Sequence, residues 1–162
     1  MVNVKEIEDM RKKINIFISY AHRNEKTVVP FIEEFKEYIT PSKKYDYNVW
    51  YDSDIMTGEK WEQRILNEIE KCDLGVLMMS PSFLNSKFIM NTELPLLQKG
   101  KVILPIMMRK LDFARHDLKG IDQLQIFTYE GKAYSELRAK SKAKFVEKAF
   151  EKMEELLDSK LK

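Results

Sequence analysis

Few side chains in this sequence have the type and spacing that bond-breaking chemistry requires. The two histidines, His22 and His116, are far apart, and no H-E-x-x-H pair or Cys/His cluster exists, so no metal site is expected. The single cysteine, Cys72, excludes an internal disulfide and a four-cysteine zinc site. Ser80 and Ser82 follow an apolar run, but no G-x-S-x-G elbow surrounds them. Neither glycine-rich phosphate cradle, G-x-x-x-x-G-K-S/T or G-x-G-x-x-G, occurs. What remains is carboxylates: Asp52 and Asp54 in the polar stretch DSDIMTGEK, and Glu93 in NTELP. Pro95 is tolerated only near a helix start, with Asn91 or Thr92 as the cap. Glu93 is therefore expected in a first helical turn, where the dipole favours its ionised form. An acid there is also ordinary helix chemistry, and loop aspartates are ordinary turn formers.

The elements that must position these groups follow from hydrophobic periodicity. Ile14 to Tyr20 (INIFISY) is a short β-branched and aromatic run, as expected of a strand buried on both faces. Val28 to Ile39 carries a helical stripe, with Pro30 in its first turn. A turn over Pro41 to Asp46 leads to a strand at Tyr47 to Tyr51. A polar loop from Asp52 to Lys60 precedes a helix over Trp61 to Lys71, with Trp61, Ile65, Leu66 and Ile69 on one side. Asp73 to Ser80 and Lys101 to Met107 read as further strands, Pro105 facing away from a ladder partner or near the strand end. Between them lies a loop and a third helix that holds Glu93. A short fifth strand is expected near Gln125 to Tyr129, and a closing helix from about Tyr134 to Lys160.

This alternation predicts an α/β fold: a flavodoxin-like three-layer sandwich with a five-stranded parallel sheet and helices on both faces. Residues 1–13 read as a polar lead-in and 14–162 as one domain. Ligands of such sheets bind at the carboxyl ends of the strands. Attention therefore falls on Tyr20 to Arg23, Asp52 to Lys60, Ser80 to Glu93, and the residues after Met107. A receiver domain shares this architecture but needs carboxylates after its first strand to hold Mg²⁺, and here that strand ends in Ser19 and Tyr20.

Composition narrows the function class. The 28 basic and 26 acidic residues are mixed along the chain, for a net charge of +2. No one-signed stripe is available for nucleic acid or an anionic membrane. Five glycines and five prolines leave little room for flexible linkers. With no signal peptide and no apolar stretch near 18 residues, a cytoplasmic domain without direct membrane or nucleic-acid contact is expected.

Four blocks in order resemble the TIR (Toll/interleukin-1 receptor) domain family. They are IFISYAH at 16–22, VWYDSDIMTGEKWEQRI at 49–65, MSPSFLNSKFIMNTELPLL at 79–97 and VILPIM at 102–107. The third looks like bacterial members in particular. Some members of the family hydrolyse or cyclise NAD⁺, and others only assemble with further TIR domains. The resemblance implies Glu93, on the third helix, as the catalytic residue. It implies a substrate pocket drawn from Ser19, Tyr20, His22, Arg23, Asp52, Gly58, Trp61, Ser86, Phe88 and Ile89, with Gly58 supplying a positive-φ turn. Many members carry Trp four residues before the glutamate. This chain has Ile89 there, with Phe88 adjacent, and Ala21 where animal members are often basic.

One carboxylate suffices for such a reaction. Nicotinamide leaves NAD⁺ as a neutral molecule, so the second carboxyl by which glycosidases protonate a leaving oxygen is not needed. A fixed carboxylate stabilises the oxocarbenium-like sugar and orients water. The resemblance thus implies an NAD⁺ glycohydrolase with NAD⁺ as substrate and no resident cofactor, releasing linear or cyclic ADP-ribose. It would be active on self-association, as a bacterial anti-phage defence effector in innate immunity, with a sensor or further domain beyond the closing helix. A non-catalytic signalling adaptor acting through homotypic contacts is the alternative, and a nucleoside-type glycosidase a third.

Overall fold

Isoleucines 14, 16 and 18 alternate with Asn15, Phe17 and Ser19, so successive side chains of the first strand point to opposite faces of a sheet. In the computed structural model, which describes residues 10–52 and 59–161, this strand is β1 (Lys12–Ser19). It begins within the expected polar lead-in. Glu59 enters as backbone only. The expectations for Asp54, Gly58 and most of the lead-in lie outside the described residues.

β1 is followed by a short 3₁₀ turn (His22–Asn24) and helix α1 (Glu25–Ile39). Strand β2 (Tyr45–Tyr51), helix α2 (Glu59–Lys71) and strand β3 (Leu74–Met79) come next. Helix α3 (Pro81–Asn85), a π-helical segment (Ile89–Glu93) and helix α4 (Leu94–Leu97) precede strand β4 (Val102–Met107). Helix α5 (Ala139–Lys160) closes the chain. Among the described residues the sheet has four strands, all parallel, in the order β2-β1-β3-β4. α1 and α5 cover the face bearing Ile14, Ile16, Ile18, Val76 and Ile106. The helices from α2 to α4 cover the face bearing Phe17, Leu77 and Met79. No helix among the described residues is long and apolar enough to cross a membrane.

The expected fifth strand is reduced to one parallel bridge, Ile106 with Phe127. Beyond the bridge, the Tyr129 N–H goes to the Lys132 carbonyl and the Arg109 N–H to the Met79 carbonyl; before it, the cause is Pro105. Phe127 donates its N–H to the Pro105 carbonyl (2.8 Å) and accepts from the Met107 N–H (2.9 Å). The next rung would need an N–H on residue 105, and proline has none. Three further expectations change. α1 starts at Glu25 rather than Val28, so Pro30 sits inside the helix. The carbonyl it leaves without a helical donor belongs to Lys26, an exposed residue. The closing helix starts at Ala139, and Tyr134–Glu136 forms a separate 3₁₀ turn. Asp73 precedes β3, and Ser80, after it, caps α3.

α5 is fastened to the start of β2 by buried and half-buried hydroxyls. Ser42 and Tyr47 donate to Glu154 Oε2 at 2.6 and 2.7 Å, and Tyr45 donates to Asp158 at 2.6 Å. Burial and the adjoining carboxylates push the Tyr45 phenol up to about 12. These tyrosines are fixed donors at physiological pH.

Candidate functional site

At the carboxyl ends of β1 and β2 the chain encloses a cavity of about 340 Å³. Tyr20, His22 and Arg23 reach it from beyond β1, Asp52 from beyond β2 and Trp61 from α2. Ser86, Phe88, Ile89 and Glu93 come from the chain between α3 and α4. Of the described residues proposed for the pocket, one does not line it. Ser19 is sealed behind the wall at 1% exposure, and Gly58 lies outside the described residues. Ala21, Ser82 and Asn85, in the segments expected to form the site, also contribute, as do Phe17, Ile18 and Ile65, which lie outside those segments. Ile65 is legible in the sequence, since it lies one helical turn beyond Trp61.

Asp52 organises the open side. Its Oδ2 accepts from the Trp61 indole N–H (2.6 Å) and lies 3.1 Å from His22 Nε2, while its carbonyl accepts from the Tyr20 hydroxyl. The Tyr20 and His22 rings stack at 5.2 Å, and Trp61 lies against Phe88 at 4.8 Å. Aromatic surface therefore faces the cavity in orientations fixed by hydrogen bonds.

Ser80 secures the other wall. Its hydroxyl accepts from the Phe83 N–H (2.9 Å), capping α3, and donates to the buried Asn24 side-chain oxygen (2.6 Å). The Ser80-Pro81 pair, a cap followed by proline at the first helical position, is a legible helix start that the sequence reading passed over. Ser86 accepts from the Ile89 N–H (3.3 Å) and so starts the turn that carries Glu93.

Glu93 is not in a first helical turn. It closes the π-helical segment, in which the Leu94 N–H reaches back to the Ile89 carbonyl. Asn91 and Thr92 lie within that segment and are not caps. An α-helical turn would press the Pro95 ring against the Asn91 carbonyl, and the wide turn just before it relieves that contact. Glu93 consequently receives no N-terminal dipole. At 7% exposure, its carboxyl is pushed up to about 7, chiefly by burial. Asp52 adds to the rise, while the Ser19 hydroxyl and His22 oppose it. Among the described residues no lysine or arginine forms an ion pair with it. No group of three or more metal-ligating side chains is assembled among the described residues.

Fold and site together define a class: a parallel α/β domain with a ligand-sized pocket at the carboxyl edge of its sheet, holding one buried carboxylate among aromatic rings. A family model described as TIR domain matches residues 16–139. The chain belongs to the TIR domain family. No curated protein matches it in sequence.

Proposed function

We propose that this domain is an NAD⁺ glycohydrolase in which Glu93 is the catalytic residue. The observation that carries the reading is the Glu93 carboxyl, 7% exposed, in the wall of an aromatic-lined cavity. A buried carboxylate without a basic partner is costly unless a ligand supplies the positive charge. The pyridinium of NAD⁺ does so, and rings such as Trp61 suit a flat cation. The cavity lies at the small end of the roughly 300–1,000 Å³ range of ligand sites. It fits the nicotinamide riboside half, with Arg23 at the rim suited to the diphosphate.

The bond between C1′ of the ribose and the ring nitrogen breaks with its electron pair going to nicotinamide, which leaves neutral. Positive charge passes to the sugar, where Glu93 meets it. Water then adds to C1′ and gives up a proton, which Glu93 accepts on this reading. The products are nicotinamide, ADP-ribose and one proton. Attack by a group of the adenine in place of water would give the cyclic product.

The test is nicotinamide release by the purified chain at high concentration or with a crowding agent, since self-association is part of the reading. Glu93→Gln keeps the shape and removes the charge. Its expected cost is about 10²–10³ in kcat, the scale for losing one group aimed at developing charge. Undiminished release by the variant refutes the assignment. If no assembled state consumes NAD⁺, the adaptor reading replaces it, and the position of Ile89, 3% exposed in the cavity wall where many relatives carry Trp, is what favours that outcome.

A further inference from the structure

Ser19 stands apart from the other groups around Glu93. It ends β1 on the face it shares with Phe17, is 1% exposed, and does not line the cavity. Its Oγ has no hydrogen-bond partner among the described residues. A buried hydroxyl left in that state costs free energy, and native folds rarely keep one without a use. The neighbouring polar group that it acts on is the Glu93 carboxyl, whose ionised form it favours.

We propose that Ser19 is a positioning residue for Glu93: its hydroxyl turns to donate to the carboxylate once Glu93 is charged, and so sets the pH range in which the charged form is held. The proposal deepens the glycohydrolase reading and rests on it for its catalytic meaning, while the pairing itself does not. A hydroxyl both donates and accepts, so it serves either protonation state of its neighbour. The other charged or titratable groups around the cavity, among the described residues, are Tyr20, His22, Arg23 and Asp52. The side chains of His22 and Asp52 are 38% and 15% exposed, on the side that substrate and solvent reach. Ser19 is on the sealed side. Its contribution therefore needs no contact with what occupies the cavity.

Carboxyl-resolved NMR titration of the full chain measures this, with the Glu93 signal identified by its loss in Glu93→Gln. In Ser19→Ala the Glu93 midpoint is expected to move up by about one pH unit. In Ser19→Thr, which keeps a hydroxyl, it returns toward wild type. Ser19→Cys, close in shape and a weak donor, moves in the same direction as alanine and serves where the alanine variant does not fold. An unmoved or lowered midpoint in a natively folded alanine or cysteine variant overturns the proposal. In nicotinamide release, the acid limb of kcat/KM moves upward with the titration while the alkaline plateau of kcat is kept. Absence of release from the wild type refutes the glycohydrolase reading alone, and the titration then decides on Ser19.

Discussion

Replacing Glu93 with glutamine should remove a pH dependence of stability that the wild-type chain carries. The Glu93 carboxyl titrates near 4.5 in the unfolded chain and near 7 in the folded one, where burial disfavours the charged form. Between those values the folded state binds more protons than the unfolded state. Stability therefore falls as pH rises from about 4.5 to 7 and levels off above. This is the reverse of an ion-paired carboxylate, which loses stability on acidification. With 1.36 kcal/mol for each pH unit, the penalty is about 1 kcal/mol at pH 5 and about 3 kcal/mol at pH 8. Glutamine does not ionise and carries neither.

Urea unfolding of wild type and Glu93→Gln at pH 5 and pH 8 isolates the effect, because every other titrating group is common to both. The wild type should lose about 2–3 kcal/mol more than the variant between the two pH values. That is large against a domain stability of about 5–15 kcal/mol. At pH 8 the variant should be the more stable protein, which on the glycohydrolase reading is the pattern of a functional group kept at a cost to folding. Parallel pH dependences for the two proteins would refute the account of Glu93 as a carboxyl burdened by burial.

Other consequences are open to measurement. The kcat/KM for nicotinamide release, which reports the free enzyme, should rise with pH through about 7, following ionisation of Glu93; a flat profile across that range would count against its role. Ser80→Ala removes the α3 cap and the partner of buried Asn24, and should cost about 1–3 kcal/mol in urea unfolding. Glu154→Ala leaves the Ser42 and Tyr47 hydroxyls without their acceptor, with a similar loss of about 1–3 kcal/mol expected in the same assay. Gly75→Ala would bring its Cβ to 3.0 Å from Leu97 Cδ2. Displacement of that core side chain should lower stability by about 1–3 kcal/mol.

The strands were legible because burial on both faces writes continuous apolar runs, as in INIFISY and VILPIM, and their alternation with helical stripes dictates a parallel sheet. The cavity was legible for a related reason: the residues just past β1 and β2 must meet at the carboxyl edge. Two features were not legible, and both turn on proline. Pro105 was recognised as awkward within a strand. That its missing N–H would face the fifth strand depends on register, which no local pattern reveals. Pro95 locally implies the start of a helix, because that is the cheapest place for it. Tertiary packing instead keeps the helical run going from Ser86 and widens one turn, a solution available only when Ile89, Leu94 and Leu97 have a core to bury into.

The misplaced helix start changes the chemistry that Glu93 offers. At a helix N-terminus the carboxylate would be held ionised throughout, able to stabilise a cationic sugar but a poor acceptor for the proton of the attacking water. Buried at the end of a π turn, with a pKa near 7, it responds to what the cavity holds. On the glycohydrolase reading, the pyridinium lowers that pKa on binding, and the charge that forms on the ribose, closer to the carboxyl, lowers it further. Stabilisation is then greatest where charge is greatest, which is what distinguishes rate enhancement from mere binding. Once neutral nicotinamide has formed and water has quenched the sugar, no cation remains, and burial again favours the protonated form. The same carboxyl is thereby a counter-charge before the bond breaks and a base after it, so a second acidic residue has no step left to perform.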